Sequence, residues 1–193
     1  MKILPSGHIA AARDATLAAA ILVFAGTQQA QAQKDALVVS RPSPLFELEK
    51  LTGGRLTLSE FRGRPIVINF WASWCKPCRT EMPDLIRAWR ANMGALEVLA
   101  VNLTDQENRA DVTRFVDELA VPFPVLLDVR GKVRELYSLV LLPTTVFVDS
   151  GGIVRIVHSG PLTADALEGG LRTIIPDLAT NQSAPAAPSS QRH

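Results

Sequence analysis

Cys75 and Cys78 are the only cysteines of this 193-residue chain, and both lie in NFWASWCKPCRTEMP, residues 69–83. A CxxC serves as half of a zinc site, as a metal-delivery claw, or as a dithiol that cycles with a disulfide. As a structural staple it is poor value, because the closed loop holds only Lys76 and Pro77 and removes little entropy from the unfolded chain. Redox exchange asks for an exposed thiolate to attack a substrate disulfide and for a neighbouring thiol to resolve the mixed disulfide. Cys75 follows an apolar run by three residues and opens a helical pattern, where free backbone N–H groups and the helix dipole favour a thiolate. Cys78 falls three residues on, on the same helical face, so the two sulfurs can meet. Pro77 costs the first helical turn little but removes one N–H that would stabilise the thiolate, which makes the couple more reducing. Lys76 adds less than one pKa unit at an exposed site, about 0.3–1 kcal/mol, and does not decide the redox direction.

The elements that must hold this pair are legible around it. LFELEKL, TGG and RLTL predict an entrance β-hairpin. PIVINFW is a continuous apolar run, the pattern of a strand buried on both faces. A helix is predicted from about Cys75 to Met93, with Met82, Leu85, Ile86 and Trp89 as its apolar stripe and Pro83 inside it. LEVLAVN predicts a second buried strand. ENRADVTRFVDELA places Val112, Phe115, Val116 and Leu119 at helical spacing, and FPVLLD predicts a further strand. A short helix over 133–137 and an antiparallel hairpin, PTTVFVD–SGG–IVRIVHSG, follow. Thr163 caps a last helix to about Ile175, weakened by Gly169 and Gly170. Trp71 and Trp89 read as core. Alternating strands and helices ending in a hairpin indicate an α/β fold around a mixed central sheet.

Outside this domain, residues 1–32 read as an export signal. Lys2 and Arg13 precede an apolar run over 15–26, and Ala30 and Ala32 supply the small-x-small pattern for cleavage after Ala32. At 1.5 Å per residue the run reaches roughly 18 Å, short of the ~30 Å of bilayer hydrocarbon. An uncleaved membrane anchor stands as the alternative, and both readings place the rest of the chain in the periplasm or another extracytoplasmic space. Residues 33–44 read as a linker, 45–178 as the domain, and 179–193 as a disordered tail. Without residues 1–32 the chain carries 18 basic and 18 acidic side chains, which argues against nucleic acid as a partner.

WCKPC after IVINFW, a proline five residues beyond the second cysteine, and LLPTTVF before the terminal hairpin resemble the thioredoxin superfamily. Within it the chain is similar to the TlpA/ResA-type extracytoplasmic thiol-disulfide oxidoreductases, many of which serve cytochrome c maturation. The resemblance covers roughly 43–176. It implies a thioredoxin-like fold with a βα insertion over about 105–128, no cofactor and no metal, and a monomer. It makes Cys75 the attacking cysteine, Cys78 the resolving one, and Pro143 a proline preceded by a cis bond, with the backbone at Leu142 pairing with substrate and Trp74 shaping the contact surface. The implied partners are proteins with disulfides, apocytochrome c among them, and a membrane dithiol that returns electrons to this protein.

One position departs from thioredoxin itself: the buried acid of its central strand corresponds to Asn69, which cannot carry a proton. The TlpA/ResA type places an acid just after the next strand, where Asp105 stands, and the resemblance implies Asp105 as the catalytic base that takes the Cys78 proton during resolution; an Asp in LTDQEN equally suits a loop or capping role. Zinc needs four ligands, and beyond the cysteines only His158 and His193 remain after residue 32. His158 reads as a surface or packing residue of the terminal strand. The copper-binding branch of this fold uses CxxxC and a distant histidine, and a peroxidase needs Pro-x-x-x-Thr-x-x-Cys, whereas Pro65 is followed by Asn69. A copper-binding assembly factor and a non-catalytic binding module remain the rival classes.

Overall fold

Each segment with strand or helix patterning forms its element in the computed structural model, which describes residues 39–175 and 178. The expected signal at 1–32, the first part of the expected linker and the expected tail at 179–193 lie outside the described residues. The strands are β1 (Glu47–Lys50), β2 (Arg55–Thr57), β3 (Ile66–Trp71), β4 (Glu97–Asn102), β5 (Val125–Leu127), β6 (Thr144–Val148) and β7 (Val154–Ser159). The helices are α1 (Lys76–Ala91), α2 (Arg109–Leu119), α3 (Lys132–Leu136) and α4 (Ala164–Ile174). They form one mixed sheet in the order β2-β1-β5-β4-β3-β6-β7. β3 runs parallel to β4 and β4 to β5, while β6 pairs antiparallel with β3. The α2–β5 segment is the insertion expected over 105–128; it widens the parallel part of the sheet by one strand. No helix among the described residues is long and apolar enough to cross a membrane.

β3 is buried along its whole length because apolar layers cover both of its faces. Val67 and Trp71 pack with Met82, Leu85 and Ile86 of α1, Phe115 of α2 and Leu171 of α4. Ile68 and Phe70 point the other way, into a layer with Leu58, Phe61, Val133 and Tyr137. Asn69 shares the first face, so the amide faces the helix that carries the cysteines. Asn108 and Thr163 cap α2 and α4 through their side chains, each accepting a backbone N–H two or three residues into the helix.

The C-terminal end of the expected linker is part of the fold. The Ser40 N–H donates to the Val154 carbonyl, the Val154 N–H to Arg41, and Pro42 bridges Ile153. These few residues cover the outer edge of β7, which would otherwise present unpaired backbone groups. Their proline and serine content fits an edge-covering segment as well as a linker.

Gly169 and Gly170 differ in kind, although both lower intrinsic helix propensity. A Cβ on Gly170 would stand 2.3 Å from the buried Phe147 ring, whereas one on Gly169 meets nothing within 4 Å. Gly170 thus lets α4 approach β6. Gly170→Ala is expected to destabilise the fold by about 1–3 kcal/mol through overpacking. Gly169→Ala should stabilise it by up to about 1 kcal/mol through helix propensity. Urea-denaturation midpoints of the two variants should move in opposite directions; movement in the same direction would remove the close-approach explanation.

Candidate active site

The chain leaves β3 at Trp71, turns through Ala72, Ser73 and Trp74, and enters α1, with Cys75 as its N-cap. The Cys78 N–H donates to Cys75 Sγ at 3.2 Å, so the first sulfur sits at the positive end of the helix. Pro77 occupies the first turn and contributes no donor there. The two cysteines are joined as a disulfide, with Cα atoms 5.3 Å apart. Cys75 retains 4% exposure while Cys78 has none, so Cys75 is the cysteine nearer the surface.

The Leu142-Pro143 peptide is cis and leads into β6. The Gly160 N–H donates to the Pro143 carbonyl at 2.8 Å and ties the chain after β7 to this loop. Trp74 is 59% exposed, and Val140 and Leu141 also project into solvent. Trp74, which precedes Cys75, lines a shallow groove with Leu103, Gln106, Arg134 and Leu142. The structure brings Trp74 and Leu142 to this groove, while Pro143 is buried beneath it at the start of β6.

Behind the cysteines lies a carboxyl that the sequence reading passed over. Glu81 is only 3% exposed, one turn beyond Cys78 on the same helical face. Its Oε1 accepts from Asn69 Nδ2 at 2.8 Å and its Oε2 from the Leu162 N–H at 2.8 Å. Burial pushes its pKa up, against the lowering effect of these two hydrogen bonds and of His158. Asn69 Nδ2 also donates to Thr145 Oγ1 at 3.0 Å, while its own buried Oδ1 has no protein partner. A flip of that amide would offer Oδ1 to a protonated Glu81, so Asn69 can serve both charge states of the acid. The signal was present in the sequence: Glu81 interrupts the apolar stripe that runs through Cys78, Met82, Leu85 and Ile86.

A second carboxylate, Glu107, holds the loop before the cysteines. It accepts from the Ser73 N–H at 2.8 Å, from the Ser73 hydroxyl, and from Asn102 Nδ2 at 2.7 Å. Asn102 ends β4 and Glu107 precedes α2, so the insertion fixes the approach to Cys75. Nothing in the local pattern marks Glu107, whose role depends on partners 34 and 5 residues away.

Asp105 is engaged elsewhere. Its Oδ2 accepts from Arg134 Nε at 3.2 Å, and its N–H donates to the Asp128 carbonyl at 3.2 Å. The carboxylate also lies against Gly131, where a Cβ would stand 2.7 Å from Oδ2. These contacts join the insertion to the start of α3, and Glu81 rather than Asp105 is the buried acid on the helix of the cysteines. Among the described residues no group of three or more His, Cys, Asp or Glu side chains is placed to hold a metal ion.

The AhpC/TSA family model matches residues 39–157. A thiol-disulfide oxidoreductase ResA of Oceanobacillus iheyensis is 35% identical over 164 residues, 81% of this chain and 83% of the relative. That of Geobacillus kaustophilus is 34% identical over 145 residues, 75% and 82% of the two chains. Among solved structures, the exposed lipoprotein thioredoxin Etrx1 of Streptococcus pneumoniae superposes with a TM-score of 0.60 at 30% identity, covering 67% of this chain and 98% of that one. Matched in this way over more than half its length, with a dithiol at the head of α1 as its reactive group, the chain belongs to the AhpC/TSA family of thioredoxin-like proteins and is a thiol-disulfide oxidoreductase akin to ResA.

Proposed function

We propose that this protein is an exported reductant of protein disulfides, with apocytochrome c as its first candidate substrate. The observation that carries the reading is the asymmetry of the pair: Cys75 caps α1 as the cysteine nearer the surface, and Cys78 is fully buried, one turn before Glu81. In the reduced protein the Cys75 thiolate attacks one sulfur of a substrate disulfide and expels the other as a thiolate. Cys78 then gives up its proton and attacks Cys75 Sγ. The substrate leaves as a dithiol, the Cys75–Cys78 disulfide forms, and two electrons have passed to the substrate. Glu81 is the group we assign to receive the Cys78 proton, a role read at Asp105 from sequence position.

Two features support the reducing direction. A couple is oxidising when its reduced form is stabilised. Here Pro77 withholds one helix N–H from the thiolate, and a buried carboxylate near the sulfurs disfavours a second negative charge. The family resemblance supports the substrate class, export through residues 1–32, and re-reduction by a membrane dithiol. Trp74 and Leu142, with the backbone ahead of the buried Pro143, form the surface on which the substrate chain would lie, and the protein acts as a monomer.

The reduction potential of the Cys75–Cys78 couple tests the direction. Equilibration with a glutathione buffer should give a value nearer thioredoxin, about −270 mV, than DsbA, about −120 mV. A value above roughly −180 mV, the level of protein disulfide isomerase, would make the protein an oxidant.

A further inference from the structure

His158 looks like a packing residue in the sequence, but the structure gives it a defined place behind Glu81. It lies on β7 opposite Thr145 of β6, the residue whose hydroxyl accepts from Asn69. After β7 the chain reverses at Gly160, where φ is +100°, a conformation that glycine adopts without strain. The reversal brings the Pro161 carbonyl to 3.0 Å from His158 Nε2. The other end of that same peptide unit is the Leu162 N–H, which donates to Glu81 Oε2 at 2.8 Å. The C=O and N–H of a trans peptide point in opposite directions, so the imidazole and the carboxyl grip the two ends of one dipole.

We propose that His158 is a positioning residue for Glu81: its ring donates to the Pro161 carbonyl, polarises the Leu162 N–H toward the carboxylate, and through its charge sets how tightly Glu81 holds a proton. Hydrogen bonds in series strengthen one another, by about 10–30% per bond. An imidazolium adds a positive charge roughly 8 Å from the carboxylate, across two hydrogen bonds and one peptide unit. Its field favours the ionised carboxylate, in the direction of the lowering effect already described for Glu81. Imidazole is the side chain whose charge changes between pH 5 and 8, so the coupling is tested across that range.

Most other charges on the surrounding elements are partnered. On β7 Arg155 pairs with Asp149, on α1 Arg79 pairs with Glu118, and on α4 Arg172 pairs with Glu168. Lys76 opens α1 and Asp165 lies in the first turn of α4. The charged side chain whose field reaches Glu81 is His158. His158 is partly exposed, so its proton exchanges with solvent, whereas Glu81 is sealed.

The proposal rests on Glu81 as the acceptor of the Cys78 proton, and its test separates the two claims. The full chain is labelled with ¹³C at glutamate Cδ, the Glu81 resonance is identified with Glu81→Gln, and its titration is followed in wild type, His158→Gln and His158→Phe. His158→Gln retains an N–H donor and loses the charge; His158→Phe loses both. In each variant Glu81 should bind its proton about three- to tenfold more tightly below pH 6, with the larger effect in His158→Phe. Mixed-disulfide resolution should slow by a similar factor at pH 5–6 and converge with wild type above pH 8, since only ionised Glu81 can accept the proton. Identical Glu81 titrations in all three proteins, or a shift in His158→Phe alone, would overturn the charge coupling. A shifted titration together with normal resolution in Glu81→Gln would instead retain the coupling and sink the proton-acceptor reading. Should His158→Phe fail to fold, His158→Gln decides the question alone.

Discussion

Cys78→Ser is expected to abolish turnover and to accumulate covalent complexes with substrate through Cys75. The first attack needs only the Cys75 sulfur, which caps α1, accepts the backbone N–H of residue 78 and belongs to the less buried of the two cysteines. That N–H belongs to the backbone and survives the substitution, so Cys75 stays activated. What is lost is the buried nucleophile that releases the substrate, and the mixed disulfide then persists until an external thiol cleaves it. Cys75→Ser should be equally inactive but should trap nothing, because the remaining sulfur belongs to the fully buried Cys78. Non-reducing electrophoresis against a disulfide-containing target protein reads both results, with dithiothreitol dissolving the complexes. Faster alkylation of Cys78 than of Cys75 in the reduced wild type would reverse the two roles.

The positions of the sulfurs, the strand before them and the helix that follows were legible because each depends on local pattern. IVINFW is apolar throughout and therefore buried on both faces, and the stripe of α1 has the spacing of one helical side. The acids were harder to read. Asp105 occupies the expected place along the chain, but a single turn of 3-10 helix over Thr104–Gln106 intervenes, and its carboxylate pairs with Arg134, 29 residues away. Glu81 resembles any helical glutamate unless one notices that it lies on the buried side of its helix. Glu107 and His158 had no local signature, since their partners arrive through the β4–α2 connection and through the reversal at Gly160. Long-range polar contacts of this kind follow from topology, which the hydrophobic pattern indicates only in outline. The edge-covering segment before β1 was hidden for a related reason: its proline and serine content fits a linker, and only the register with β7 distinguishes the two.

Glu81→Gln is expected to slow resolution of the mixed disulfide by about 10²- to 10⁴-fold, the range over which positioned general bases act, while making the protein more stable at neutral pH. Both effects have one source. Burial raises the pKa of Glu81, so the folded chain binds this proton more tightly than the unfolded chain does. Between the unfolded value and the raised folded value the native state carries more bound protons, so stability falls as pH rises across that window. At neutral pH the ionised carboxylate is a net cost to folding, and the neutral amide removes it. The introduced amide would accept the Leu162 N–H through its oxygen and donate to a flipped Asn69, whose Oδ1 has no protein partner at present. The substitution thus reproduces the shape and hydrogen bonding of the protonated acid without its ability to accept a proton. In single-turnover reduction of a disulfide peptide, the attack by Cys75 should stay within a few-fold of wild type, and the mixed disulfide should accumulate. The limb of the pH–rate profile that reports ionisation of Glu81 should disappear. Asp105→Asn, by contrast, should leave resolution within about twofold, since its carboxylate is committed to Arg134 and the start of α3. A Glu81→Gln enzyme that resolves mixed disulfides at the wild-type rate, with Asp105→Asn slow, would return the proton to Asp105; if both variants resolve normally, solvent alone takes it.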